Sequence, residues 1–375
     1  MPKIFEIFGY RVDDDSPEAE SGRKAARCPF MGCDCDGGGN RYLSQIDFDD
    51  LRYSEELKDY FEGRESVPSG VCSIQPREGR RPWIVCPRRL LVLGREGVGD
   101  RAHQNFAESM LMRHSGFSPG ERLGVWPEVK VRHVSGSGDA RKSFDYTFDY
   151  VVMPLRSIEM ELAGSIVGIG RESRLREVLL AASFSLSRRD GVEYVDDFPQ
   201  GDPLVVEIMT SSTSGGNKRK RTTVPQAFED AVLKGIEGHT APSINYRQVW
   251  ARMVSQLIVK SEAGAEWGGK TVWILQDALA DYISSSTALN LRRFRSDRTS
   301  EVNIMSLSYG DAYEAGHEGV AELTQGELFS GPARPPGSSS EQGFQDMIRA
   351  PTIPPKNVLL RSLALRRRVN TMNAP

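Results

Sequence analysis

All five cysteines lie in the first 86 positions of a 375-residue chain: Cys28, Cys33 and Cys35 in RCPFMGCDCDGGG, Cys72 in PSGVCSI and Cys86 in WIVCPRR. Soft sulfur donors gathered tetrahedrally hold zinc or a single iron, and such a centre staples a segment too poor in core to fold alone. The clustering predicts one metal site built from Cys28, Cys35, Cys72 and Cys86, with Cys33 competing with Cys35 for the second place. The spacing departs from that of common zinc fingers, in which two residues separate each pair. Unligated or disulfide-bonded cysteines are therefore the plainer alternative, and the choice between Fe and Zn stays open.

A chain of this length exceeds the usual single-core size of about 100–150 residues, so a small unit beside a larger one is expected. No run reaches the eighteen or so uncharged residues of a membrane helix. The start, MPKIFEIFGYRVDDD, is acidic and lacks the basic and apolar regions of a secretory peptide, which predicts a cytoplasmic protein without membrane contact. A reducing compartment favours ligation of the thiols over disulfides. The net charge of −3 neither demands nor excludes nucleic acid, because local clustering of Lys and Arg is what engages phosphates. Three basic segments supply such clusters: Lys218-Arg219-Lys220-Arg221; Arg292, Arg293, Arg295 and Arg298; and Arg361, Arg366, Arg367 and Arg368. Taken singly, each reads equally well as a solvated face.

Three regions follow from the patterning. Residues 1–95 hold the cysteines and an acidic helix candidate, LRYSEELKDYFEGR. Residues 96–330 begin with a helix, DRAHQNFAESMLMRH, followed by the strand candidates VWPEVKVRHV, FDYTFDYVVM and DPLVVEIMTS. Helix candidates VPQAFEDAVLKGI and INYRQVWARMVSQLIVKSEA and a strand, KTVWILQ, complete them. Residues 331–375 combine a Gly, Pro and Ser linker with a basic amphipathic segment, NVLLRSLALRRR. The order helix, strand, strand, strand, helix, strand is that of a mixed sheet flanked by helices. Glu207 stands inside the apolar strand Val205-Val206-Glu207-Ile208, and a buried carboxylate costs several kcal/mol unless paired or bound to a cation. With Glu128 and Asp145 it makes three carboxylates on three elements, a set able to hold Mg²⁺ against a phosphodiester.

The segments FGYRV, RCPFM, GVCSI, WIVCPRRLL, SFDYT, VVEIMT and NYRQVWARMVSQLIVK resemble, in this order, the NotI-type restriction endonucleases. The likeness covers most of residues 5–290, with interruptions near 36–68 and 154–200. It implies an α/β protein: a PD-(D/E)xK restriction-endonuclease-like mixed sheet flanked by helices, with a small N-terminal metal-binding domain of four cysteines. It further implies a Mg²⁺-dependent type II restriction endonuclease that cuts both strands of double-stranded DNA at a GC-rich palindrome. A two-fold site implies a homodimer, and a cognate DNA methyltransferase is a candidate partner. On the family pattern Cys28, Cys35 (or Cys33), Cys72 and Cys86 are the iron ligands, and Glu128, Asp145 and Glu207 the active-site acids.

One position departs from that pattern. Two residues after the strand glutamate the family has Gln, and most nucleases of the wider fold have Lys; this chain has Met209. A thioether neither orients water strongly nor offers positive charge to the phosphorane. Either Thr210, Lys218 or Gln256 supplies the contact, or metal and acids act at reduced rate, or the chain binds DNA without cutting it. A working enzyme is the expectation, because all three acids are kept. Arg252, Gln256 and Lys260 recur every four residues along one helix face. Gln256 is a candidate partner of the site, and Arg252 a partner of phosphate or carboxylate. Lys218 and Arg219, after the strand of Glu207, and Arg366 and Arg367, near the end of the chain, are the candidate DNA contacts.

Overall fold

The computed structural model describes residues 1–39, 45–50, 53–93, 102–136, 142–213, 223–310, 318–334 and 342–348. The N-terminal region runs β1 (Lys3–Ile7), β2 (Tyr10–Arg11), α1 (Pro17–Lys24), β3 (Arg27–Cys28), β4 (Cys33–Asp34), β5 (Gln45–Asp47), α2 (Glu55–Tyr60), β6 (Ser66–Pro68), β7 (Val71–Gln75), β8 (Trp83–Ile84) and α3 (Pro87–Leu90). The remainder runs α4 (Ala102–Ser115), β9 (Leu123–Ser135), β10 (Lys142–Glu159), α5 (Met160–Val167), α6 (Glu172–Ala181), β11 (Ser185–Arg189), β12 (Val192–Pro199), β13 (Leu204–Met209), α7 (Val224–Lys234), α8 (Tyr246–Glu266), β14 (Lys270–Gln276), α9 (Asp277–Ser286), β15 (Val302–Ser308) and β16 (Thr324–Gly331).

A large mixed sheet has the order β11-β12-β10-β13-β14-β15-β16, with β9 hairpinned on β10; a smaller sheet has the order β2-β1-β7-β8. β10 meets β13 antiparallel, while β13, β14 and β15 are parallel, the two crossovers being made by α8 and α9. Parallel strands covered on both faces read as unbroken apolar runs, and KTVWILQ shows why. Val272 and Ile274 enter a core with Met110 and Leu111 of α4, whereas Trp273 and Leu275 enter a second core with Met253 and Leu257 of α8. Each fully buried side chain of this kind contributes about 1.5–3 kcal/mol. The helix, strand, strand, strand, helix, strand order is thus observed as α4, β9, β10, β13, α8, β14, with α5 through β12 inserted after β10 and α7 before α8. Local signals set the ends. Thr223 and Gln226 form a capping box at the start of α7, where a Pro also lies in the first turn, and Gly235 follows its last residue.

The N-terminal region shares its cores with the rest of the chain. Phe8 and Phe61 pack on Phe228 of α7, and Phe5, Ile84, Leu90 and Leu91 join the core of the large sheet. The stretch after residue 331, expected as a linker, buries Phe344 and Met347 against the α8–α9 side. The amphipathic segment 357–368 lies outside the described residues, as do Lys218, Arg219, Arg366 and Arg367. Among the described residues no helix is long and apolar enough to cross a membrane.

Candidate active site

The site forms where β10 stops pairing with β13. Backbone pairing between the two reaches Tyr150↔Val206, and beyond it the side chain of Asp149 takes over, its Oδ2 accepting the Ile208 N–H at 2.7 Å. The change shows in the packing. Phe144, Tyr146 and Phe148 turn toward the same cluster as Val151 and Val205, so the alternation of β10 changes phase across Asp149 and Tyr150. Opposite Asp149, between the pairs Pro127↔Tyr150 and Val129↔Phe148, stands Glu128 with φ +51°. A non-glycine residue in the left-handed region costs of order 1–3 kcal/mol and persists where the surroundings hold it, commonly at functional sites.

Glu207 on β13 is 2% exposed. Its Oε2 accepts from Lys260 Nζ at 2.5 Å, and the same ammonium donates to the Thr147 carbonyl at 2.7 Å. Its Oε1 is buried and has no hydrogen-bond partner among the described residues. Burial foremost, then the neighbouring Asp149 charge, raises the Glu207 pKa to about 8 against the pull of Lys260. Burial likewise raises Asp149, opposed by the Ile208 N–H and Lys260, with Glu128 adding negative charge and Arg88 positive. Arg88, on α3, donates to Asp36 at 3.0 Å and to the Tyr150 hydroxyl at 3.4 Å. Asp149 and Glu207 are thereby held beside one buried lysine, with Glu128 exposed on β9 opposite Asp149.

This set differs from the expected one at two places. Asp145 is not brought to Glu207. Its exposed side chain faces Lys130 at 3.6 Å and Arg132 at 3.2 Å, and Asp149, four residues on, takes the place beside Glu207. Met209 is half-buried against the apolar cluster of Met253, Leu257 and Trp273. The group that reaches Glu207 is Lys260, from α8, rather than Thr210 or Gln256; Gln256 is half-buried one turn earlier on the same helix. Lys260 and Asp149 are the residues missed from sequence. The four-residue stripe containing Lys260 was the available signal, as was the second copy of the FDY triplet. Arg252 belongs to α8, but its side chain lies outside the described residues.

The thiols of Cys28, Cys35, Cys72 and Cys86 interact with one another: Cys72 hydrogen-bonds Cys86, and Cys28 and Cys35 feel the charge of Cys86. Backbone N–H groups point at the sulfurs, from Phe30 and Met31 to Cys28, from Gly37 to Cys35 at 3.4 Å, and from Arg88 and Arg89 to Cys86. Burial pushes the Cys28 thiol up to about 12. Among the described residues no three His, Cys, Asp or Glu side chains stand in a metal-holding arrangement, so the expected four-sulfur centre is not shown.

A scan of protein-family models finds no match for the chain, and no curated protein matches it.

Proposed function

We propose that this chain is a Mg²⁺-dependent nuclease of the PD-(D/E)xK type, acting as a homodimer and type II restriction endonuclease on a GC-rich palindrome in double-stranded DNA. The observation that carries this reading is the buried Glu207–Lys260 pair beside Asp149 at the carboxyl end of β13. Ligands of open α/β sheets bind at that edge of the strands. Hard carboxylate oxygens suit Mg²⁺, and among the described residues the buried Glu207 Oε1 has no hydrogen-bond partner, which leaves it for such a ligand. Glu207 and Asp149 would hold the ion, with Glu128 adjacent. When bound, it lowers the pKa of a water and stabilises the charge that develops on the phosphoryl oxygens.

The chain's own groups supply the rest. Two of the three N–H groups of Lys260 are taken by Glu207 and Thr147, which fixes the ammonium and leaves one donor for a phosphate oxygen or a water. This is the positive charge that Met209 cannot offer, and its presence supports cleavage over DNA binding alone. Cys28, Cys35, Cys72 and Cys86 fit a structural Fe or Zn by donor chemistry, with N–H groups already directed at the sulfurs. The cytoplasm would keep those thiols reduced, and a methyltransferase modifying the same site would protect the host DNA.

The test is incubation with unmethylated phage DNA and Mg²⁺, with sequencing of fragment ends. Discrete ends that share a palindrome, lost in Glu207→Gln and in Asp149→Asn, are expected. Intact DNA under all metal and pH conditions would remove the nuclease reading.

A further inference from the structure

The hairpin of β9 and β10 runs past the large sheet. β13 ends at Met209, level with the residues just before Asp149, yet β9 and β10 continue paired from Val129↔Phe148 to Ser135↔Lys142. A two-stranded ribbon of seven pairs, roughly 20 Å long at 3.3–3.4 Å per residue, therefore overhangs the carboxyl edge where Glu207, Asp149 and Glu128 stand.

Its two faces differ. Val129, Val131, Phe144 and Tyr146 form one face, half-buried and continuous with Phe148 on the α8 side of the sheet. The other face carries Lys130, Arg132, Asp145 and Thr147, paired across the strands as Lys130↔Thr147 and Arg132↔Asp145. Lys130 and Arg132 are 64% and 71% exposed, and both lean on Asp145. An exposed pair of this type contributes little to stability, so folding gives the cations no evident task. Asp145 instead fixes where they point.

We propose that this ribbon is a DNA-contacting arm, resting on the nuclease reading above: Lys130 and Arg132 neutralise phosphates of the duplex whose scissile bond lies at Glu207, and Asp145 is a positioning residue. The major groove of B-DNA, about 12 Å wide, admits a two-stranded ribbon. The arm's place over the acid edge puts it beside any duplex seated there. Duplex DNA is the occupant that the exposed cations and the acid edge jointly fit.

The test measures binding of the full chain to a short duplex of mixed sequence without divalent cation, across a salt series. Lys130→Gln/Arg132→Gln is expected to lower affinity roughly tenfold and to reduce the salt slope by about two, one for each phosphate no longer neutralised. Asp145→Asn, which releases Lys130 and Arg132 from the carboxylate that aims them, is expected to weaken binding several-fold and still cut. If wild type binds and cuts while the double variant keeps its affinity and slope, the arm is overturned and the nuclease reading survives. If wild type binds no duplex at low salt, both fall. Loss of cleavage in Asp145→Asn with binding unchanged would return that carboxylate to the chemistry and overturn the positioning role.

Discussion

Two buried acid–base pairs, Glu6 with Arg89 in the N-terminal region and Glu207 with Lys260 on the large sheet, are finished differently. Glu6 and Arg89, both 0% exposed, form a complete cluster on the carboxylate side. Oε1 accepts from Nε and Nη2 of Arg89, and Oε2 from Ser73 at 2.7 Å and from Tyr309 at 2.5 Å. Arg89 Nη1 lacks an acceptor, but the guanidinium lies between the rings of Phe30 and Tyr309. Glu207 and Lys260 are nearly as buried, yet Glu207 keeps one oxygen with no partner and a pKa of about 8. A pair whose carboxylate is fully satisfied fastens β1, α3 and the strand-end Tyr309 together. A carboxylate left one hydrogen bond short is, on the proposed function, where the cation would be held.

The comparison breaks most sharply on Arg89. Arg89→Met should cost about 3–5 kcal/mol in urea unfolding, since Glu6 is left as an uncompensated buried charge; a loss below about 1 kcal/mol would mean that the cluster fastens nothing. Lys260→Met should be the reverse case, with stability changed by less than that because Glu207, its pKa raised to about 8, holds a proton at neutral pH and is not left as a buried charge. Its turnover should fall by roughly 10²–10³ in single-turnover cleavage, the loss seen on removing one preorganised donor. Equal activity and altered stability would exchange the roles of the two pairs.

The pH dependence sharpens the contrast. The raised pKa means that the folded, metal-free chain holds a proton on Glu207 that an unfolded carboxylate, at its ordinary 4.5, has already released. Stability from this group is therefore highest below about 4.5, falls as pH rises, and levels off above about 8. Glu207→Gln should flatten that slope, checked by thermal melts across pH. Because the proposed Mg²⁺ would have to displace the same proton, its apparent affinity should climb over the same range, read by titration calorimetry. The smallest effect falls on Asp145: Asp145→Asn should shift stability by no more than about 0.5 kcal/mol, whereas a larger loss would give this exposed carboxylate a part in the fold.

Much of this was legible in the residues. The alternating and continuous apolar runs located α4, β9, β10, β13, α8 and β14, because burial on one or both faces of a sheet leaves a period that survives in sequence. Glu207 was legible for a related reason: an acid within Val-Val-Glu-Ile has nowhere to go but the interior. The local clustering of cysteines and glycines makes the N-terminal region look like a separate module. Its apolar residues carried no mark that their partners, Phe228 and the large sheet, lay far along the chain.

The order of residues alone marks the strand that carries the buried glutamate and the helix face that carries Lys260. It also confined the five thiols to one end of the chain. It could not choose between Asp145 and Asp149. The two sit in repeated FDY triplets four residues apart, and a period of two puts both on the same side of a strand. The choice is made by packing between strands, because what matters is where β13 runs out beneath β10. At that point the backbone ladder opens, Ile208 offers an unpaired N–H, and Asp149, not Asp145, is within reach. Lys260 was settled in the same way. Its neighbour along the chain, one turn back, has the same periodicity, but the crossing of α8 over β13 brings only the later residue's ammonium onto Glu207 and the Thr147 carbonyl. Spacing along a chain fixes a face; distance between elements fixes a partner.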